Sequence, residues 1–195
     1  CVARQELGEF RRLLAAALVQ HLVMVELEMI AAVGECRQRP RLWLAVEEAA
    51  RHGTFVAAHA HGAEGIKNAV RAGVRTIEHG SFLDDEGIAL MVRHGTWLVA
   101  DIYNGDYIAE VGTRDGWPEE VLRKNRETTD TQRAAFARAV KAGVRIGFGT
   151  DAGVYPHGQN ARQFAYMIRY GMTPIDAIRA ATTSPCGEVS PRLRR

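Results

Sequence analysis

A glycine followed by a short apolar run that ends on a polar residue occurs four times along this chain. The amphipathic stretch before each glycine predicts a helix that ends there, and the apolar run predicts a short buried strand. Helices and strands that alternate in this way form parallel sheets, which hold their functional sites at the carboxyl ends of the strands. The polar residues at those ends, each with its preceding glycine, are His59 (Gly53), His79 (Gly73), Asp101 (Gly95) and Asp151 (Gly143).

The repeated unit divides the chain of 195 residues into three parts. Residues 1–40 predict a helical segment with little strand signal, residues 41–185 predict the α/β unit, and residues 186–195 form a basic tail. The four predicted strands of the α/β unit cover residues 54–58, 74–78, 96–100 and 144–149.

Composition narrows the classes of partner. Lys and Arg number 25 against 23 Asp and Glu, so the chain has no strong field for nucleic acid or for a membrane surface. The apolar stretch 13–33 has the length of a membrane span, but Glu26 and Glu28 are costly in a bilayer, so we expect a buried or amphipathic helix. The three cysteines fit no zinc or redox motif, which favours free thiols in a reducing, cytoplasmic compartment.

Two imidazoles and a carboxylate at one edge of a sheet form the ligand set of a divalent-metal site. Imidazole suits zinc, and a carboxylate serves as a ligand, as a base or as both. The pair His59 and His79, with a carboxylate at a neighbouring strand end, therefore predicts a metal site, and a metal site with a carboxylate that moves protons is typical of a hydrolase. Asp101 has two interpretations, a direct role in the chemistry or a rim residue that hydrogen-bonds to a loop.

Other polar residues near the strand ends are candidates for substrate binding. His61 follows His59 by two residues, but Gly62 comes next, so we expect His61 in the loop and in contact with substrate. The segment 101–120 is a long predicted loop, and long loops after strands commonly carry specificity. Its aromatic and basic residues could contact the polar end of a substrate or could pack on the surface; these are Tyr103, Tyr107 and Arg114.

Three motifs together resemble a known family. VAAHAHG, TIEHG and GFGTDAG are similar to strands five, six and eight of the metal-dependent amidohydrolase superfamily. The nearest branch is the one that holds imidazolonepropionase-like enzymes and prolidase-like dipeptidases. The resemblance runs from about Leu42 to Thr183, and it is the order and spacing of the motifs that make it specific.

The resemblance implies a (β/α)8 (TIM) barrel with one or two divalent metals, zinc first among them. It implies that His59, His79 and Asp151 bind metal, and that Asp151 shuttles the proton of a metal-bound hydroxide. The implied reaction is hydrolysis of an amide, peptide or related C–N bond in a small molecule such as a dipeptide or an N-acyl amino acid.

The chain also departs from the family pattern. The family has an H-x-H pair on strand one and a lysine on strand four, but no such pair precedes His59 and no lysine precedes Lys67. We therefore expect a partial barrel of strands five to eight with their helices, from a truncated or frameshifted reading frame. A second copy could complete the open barrel as a homo-oligomer, because unpaired strand edges favour association.

Two alternatives follow from these departures. The first is a non-catalytic half-barrel that binds metal weakly or not at all. The second is an unrelated parallel α/β domain that binds a ligand, but the sequence contains no G-x-G-x-x-G or Walker phosphate loop. Metal content distinguishes the first alternative from the hydrolase.

Overall fold

The computed structural model describes residues 23–27 and 35–183, with side chains described from Leu42 onward. The elements in chain order are β1 (Val23–Leu27), α1 (Glu35–Arg51), β2 (Val56–Ala60), α2 (Ala63–Ala72), β3 (Thr76–His79), α3 (Asp85–His94), β4 (Trp97–Val99), α4 (Asn104–Tyr107), a π-helical turn (Ile108–Gly112), α5 (Glu119–Ala142), β5 (Arg145–Ile146), α6 (Arg162–Arg169) and α7 (Pro174–Ala181). Helices and strands alternate from α1 to β5, as the sequence predicts.

The five strands form one parallel sheet in the order β1-β2-β3-β4-β5. Each strand pairs with the next one along the chain. Because crossovers between parallel strands are right-handed, strands in simple sequence order carry their connecting helices on the same face. All carboxyl ends of the strands therefore lie at one edge, which is the arrangement that the strand-end pattern requires.

The hydrophobic core lies between the sheet and its helices. Side chains of both layers that are 2% exposed or less include Val56, Ala58, Ile77 and Leu98 from the strands and Ile66, Val70, Met91, Phe136 and Met167 from the helices. Burial of an apolar side chain of this size contributes roughly 1.5–3 kcal/mol to folding. This packing holds the helices on the sheet and fixes where the strand ends lie.

The helix boundaries follow local signals in the sequence. The glycines that end α2, α3 and α5 have φ values of 93°, 68° and 81°, in the left-handed region that glycine adopts without steric cost; they are Gly73, Gly95 and Gly143. Thr173 begins α7, because its side chain accepts a hydrogen bond from the Asp176 N–H and Pro174 follows as the first helical residue. These boundaries confirm the predicted helix ends.

Lys67 lies within α2 and is 5% exposed. Its Nζ lies 2.5 Å from a carboxylate oxygen of Glu64 and 3.1 Å from oxygens of Asp84 and Glu86. A buried ammonium needs such partners, and these join α2 to the beginning of α3. Lys67 thus lies in a helix and holds α2 against the beginning of α3.

The prediction of helix throughout residues 1–40 is wrong at Val23–Leu27, which forms β1 and pairs with β2. The sheet therefore has five strands where the sequence predicted four. A short apolar run has no period that separates a buried strand from a buried helix, and here pairing with β2 decides. The rest of residues 1–34 and the predicted tail 186–195 lie outside the described residues. None of the helices in the described part is long and apolar enough to span a membrane.

The segment 101–120, predicted as a long loop, is mostly helical. It contains α4, the π-helical turn and the first residues of α5. The segment is held against α5, where Asn125 Nδ2 donates a hydrogen bond of 2.8 Å to the Gly105 carbonyl. A Cβ at position 105 would collide with Thr129, so the glycine permits this close approach of two helices.

Candidate functional site

Side chains from neighbouring strand ends meet at the carboxyl edge of the sheet. His59 Nδ1 and His79 Nε2 lie 2.8 Å apart, and His79 Nδ1 lies 3.1 Å from Asp101 Oδ1. One ligand atom from each of His79, Asp101 and Asp151 lies within 4.8 Å of the other two. The structure therefore gathers all four polar strand ends of the sequence pattern into one cluster.

The backbone is strained at two members of this cluster. His79 has φ of 69° and Asp151 has φ of 49°, and they are the non-glycine residues with positive φ in the described part of the chain. Such conformations are uncommon outside glycine, and they concentrate at functional sites, where the surrounding structure imposes them. Both residues are predicted metal ligands, so the strain coincides with the candidate site.

The position of Gly80 in the fold requires the glycine that ends the motif TIEHG. Its φ is 62°, and a Cβ at this position would lie 2.6 Å from Leu98 Cδ1. Any larger residue would be strained at this φ, and the side chain of Leu98 would have to move. Gly80 therefore lets the chain leave the sheet immediately after His79.

A frame of side-chain amides surrounds Asp101. Asp101 Oδ1 accepts a hydrogen bond of 2.9 Å from Gln132 Nε2, and Asp101 Oδ2 accepts one of 2.7 Å from Asn104 Nδ2. Gln132 Nε2 also donates to the His79 carbonyl at 3.1 Å, and Asn104 Nδ2 to Asp151 Oδ2 at 3.3 Å. Asp101 therefore contacts a predicted ligand and also bonds to the segment that follows it, which agrees with the interpretation as a rim residue. A direct role of Asp101 in the chemistry stays a prediction.

The direction of the pKa shift differs among three residues of the cluster, His79, Asp101 and Asp151. Burial lowers the pKa of His79, but the hydrogen bond to Asp101 and the charges of Asp101 and Asp151 outweigh burial and raise the pKa above its ordinary value. Burial raises the pKa of Asp101, but the hydrogen bond and charge of His79 outweigh burial and lower it. Partial burial and the Asp101 charge raise the pKa of Asp151. Asp151 thus binds a proton more readily than Asp101 does.

His61 lies beside the cluster, where the sequence predicted it. Its Nδ1 lies 2.9 Å from Ser81 Oγ, and its ring stacks on that of His79 with centroids 4.5 Å apart. Burial, followed by the charge of His79, lowers the pKa of His61. The His61 ring is therefore neutral near pH 7 and next to a predicted ligand.

The three candidates of the segment 101–120 have different environments. Tyr103 is 4% exposed, and its hydroxyl oxygen accepts a hydrogen bond of 2.9 Å from Arg162. Tyr107 is half-buried, with its ring 5.7 Å from that of Tyr155. Arg114 is exposed and forms an ion pair with Asp115, and among the described contacts it has none with the histidine cluster. Of the three, Tyr103 is buried, Arg114 is exposed and Tyr107 is intermediate, and a role of any of them in substrate binding stays a prediction.

Asn104 and Gln132 are site residues that the sequence did not indicate. Asn104 comes three residues after Asp101, so its position after a strand end is a weak signal. Gln132 lies in the middle of α5, and its contact with Asp101 spans 31 residues of chain. A polar residue within a long amphipathic helix has no local feature that separates a site residue from a solvated one.

The donor set fits a divalent metal ion. Two imidazole nitrogens with nearby carboxylate oxygens are ligands that suit zinc and similar ions. Two nitrogens bound to one tetrahedral zinc lie about 3.3 Å apart, given zinc–nitrogen bonds of roughly 2.0–2.1 Å. The 2.8 Å separation of His59 Nδ1 and His79 Nε2 is thus a few tenths of an ångström short of that geometry. A small shift of either ring would reach it.

Solved structures with the same fold include two named hydrolases. A Xaa-Pro dipeptidase with methionine in its active site matches with a TM-score of 0.80 and 35% identity, over 94% of this chain and 48% of that chain. The ochratoxinase of Aspergillus niger matches with a TM-score of 0.78 and 32% identity, over 95% of this chain and 44% of that chain. Our chain thus spans less than half the length of either structure.

Sequence comparison gives a consistent result. The Aspergillus niger ochratoxinase is 38% identical over 149 residues, which are 75% of this chain and 30% of that protein. An uncharacterized protein of Mycobacterium bovis is 34% identical over 138 residues, which are 70% of this chain and 37% of that protein. The model of the amidohydrolase family matches residues 20–187. This match covers most of the chain, and the chain therefore belongs to the amidohydrolase family.

Proposed function

We propose that this protein is a metal-dependent hydrolase of amide or peptide C–N bonds, with His59, His79 and Asp151 as the metal ligands. One observation carries the proposal: His59 Nδ1 and His79 Nε2 face each other at 2.8 Å, and His79 also forms with Asp101 and Asp151 a group whose ligand atoms lie within 4.8 Å of one another. Family membership supports it, because the sequence motifs of the resemblance supply these same residues.

The residues of the cluster have distinct roles in this proposal. A divalent ion at this site would act as a Lewis acid near neutral pH. Asp151 takes the proton of the attacking water, because its raised pKa brings a carboxylate closer to the range in which proton transfer is efficient. Asn104 donates to Asp151 Oδ2, and none of the described contacts engages Oδ1, the oxygen that we propose takes the proton. His61, neutral and stacked on His79, presents a polar ring to the substrate.

We further propose a dipeptide or an N-acyl amino acid as the substrate. Support comes from the similar structures, since one is a Xaa-Pro dipeptidase with bound methionine and another an ochratoxinase. His61 and Tyr107 are the side chains that we propose contact this substrate. Tyr103 and Arg114 are engaged with Arg162 and Asp115, so a role for either would require those contacts to change.

We also infer that the sheet is part of a (β/α)8 barrel. The strands that the structure describes are parallel and in sequence order, which is how a barrel sheet is built. Among the described strands, β1 and β5 each pair with one neighbour only. A second copy of this chain is the partner that we propose for these edges, and the molar mass in solution, measured by light scattering, tests it.

Purified protein is expected to contain about one zinc ion per chain, because two imidazoles and a carboxylate form a sufficient ligand set. Metal content by mass spectrometry, followed by assays of dipeptide and N-acyl amino acid hydrolysis, is the decisive experiment. Protein without metal, even after incubation with zinc, would contradict the proposal and favour the non-catalytic alternative.

Zinc affinity is expected to rise with pH. The raised pKa of His79 means that its ring keeps a proton to a higher pH than an ordinary histidine, and zinc must displace that proton. The affinity should therefore increase by up to about tenfold per pH unit below this pKa and level off above it. Chelator competition between about pH 6 and pH 9 measures the effect. If zinc affinity is constant across this pH range, zinc does not displace a proton from His79 there, and the prediction is contradicted.

A further inference from the structure

The carboxylate of Asp101 lies among three donors. Its side chain is 13% exposed, and it accepts hydrogen bonds from His79 Nδ1, Gln132 Nε2 and Asn104 Nδ2. Burial of a carboxylate is unfavourable unless donors of this kind compensate it. The donors come from β3, α4 and α5, so three separate elements converge on one group.

Asp101 determines which nitrogen of His79 carries the proton. An ionised carboxylate only accepts hydrogen bonds, so the contact requires a proton on His79 Nδ1. In the neutral ring, Nε2 then has a free lone pair, and this is the atom that faces His59. The contact therefore sets both the tautomer and the direction of the ring.

Each of the two side-chain amides, Gln132 and Asn104, uses its NH2 group to donate to two acceptors. Gln132 Nε2 donates to Asp101 Oδ1 and to the carbonyl of His79, so one amide holds both the backbone of His79 and the carboxylate that orients its ring. Asn104 Nδ2 donates to Asp101 and to Asp151 in the same way. All four acceptors require an NH2 group, which fixes the orientation of both amides.

The elements that carry these amides are themselves anchored. Arg133, next to Gln132 on α5, donates a hydrogen bond of 3.1 Å from Nε to the Ile102 carbonyl and lies 2.8 Å from Asp106. Its guanidinium lies over the ring of Tyr166, 5.0 Å from the centroid. These contacts fasten the segment after β4 to α5 and α6, so Gln132 and Asn104 approach Asp101 from fixed positions.

We propose that Gln132 and Asn104 are positioning residues, which hold Asp101 from two sides so that Asp101 keeps His79 Nε2 directed at His59 Nδ1. This inference rests on the proposed function, since the directed nitrogen is a proposed metal ligand. Hydrogen-bond partners behind metal-binding histidines typically change metal affinity by about 10- to 100-fold.

The test measures the imidazole nitrogens of His79 by ¹⁵N NMR in the metal-free protein, in alkaline buffer where the ring is neutral. We expect a protonated Nδ1 and an unprotonated Nε2 in the unaltered chain, and a mixture of tautomers in Gln132→Met, which keeps the length of the side chain but removes both donors. Asp130→Asn is the matched control, because Asp130 is exposed on the same helix.

Zinc affinity is the second measurement. Gln132→Met should weaken zinc binding by about 10- to 100-fold at unchanged stoichiometry, whereas Asp130→Asn should remain within about twofold of the unaltered chain. A proton on His79 Nε2 in the unaltered chain, or a zinc affinity of Gln132→Met equal to that of the control, would overturn the inference. If no variant binds zinc, the proposed function fails, while the NMR measurement still decides whether the frame sets the tautomer.

Discussion

Zinc binding is expected to be lost when His59 and His79 are both replaced by alanine, with the dissociation constant raised by about a thousandfold or more. The substitution removes both nitrogen ligands and leaves a pair of carboxylates, which bind zinc poorly without imidazole. His94→Ala is the matched control, because it removes an exposed histidine at the end of α3. Equilibrium dialysis with zinc gives the affinities, and circular dichroism shows whether each variant is folded.

The two single variants should differ in how much stability they lose. His59→Ala leaves His79 with its bond to Asp101, whereas His79→Ala also leaves the buried Asp101 carboxylate without one of its donors. We therefore expect His79→Ala to reduce stability more than His59→Ala, by about 1–3 kcal/mol. Stoichiometric zinc in the folded double variant would show that the ligands lie elsewhere and would remove the basis of the proposed function.

The second large expected effect is a loss of free energy of unfolding when a core aromatic residue is replaced. Phe136→Ala is expected to lower the free energy of unfolding by about 3–5 kcal/mol, because a fully buried aromatic ring is lost and a cavity remains. Phe136 is 1% exposed and belongs to the core cluster, on the same helix as Gln132. Urea denaturation followed by circular dichroism measures the change.

Phe136→Leu provides the comparison for this variant. It retains most of the apolar volume, so we expect a loss on the order of 1 kcal/mol. A loss below about 1 kcal/mol for Phe136→Ala would mean that α5 does not pack on the sheet as described. In that case the position of Gln132 beside Asp101 would also lose its support.

The sequence predicted the strand ends well because the signals there are local. Glycine ends a helix through its own backbone freedom, so the helix end at Gly73 and the strand that runs to His79 are predicted from local residues alone. The alternation of helices and strands implies parallel pairing, and parallel pairing places the four polar strand ends at one edge of the sheet; they are His59, His79, Asp101 and Asp151.

Distant contacts account for what the sequence did not predict. Val23–Leu27 is a strand because β2 pairs with it, and nothing within five apolar and acidic residues indicates that pairing. Gln132 belongs to the site because α5 packs across the segment after β4. Tyr103 is a candidate for substrate contact in the sequence because long loops after strands commonly carry specificity, but the segment folds into helical turns that bury it.

The spacing of the site along the chain has a consequence for the order in which it assembles. The contact between His59 and His79 closes 20 residues of chain, whereas Asp101 with Gln132 closes 31 and Asn104 with Asp151 closes 47. Closing a longer loop costs more entropy, and contacts distant in sequence form more slowly. During refolding, the two imidazoles should therefore meet before the amide frame is in place, and zinc added at the start would encounter the nitrogen pair first.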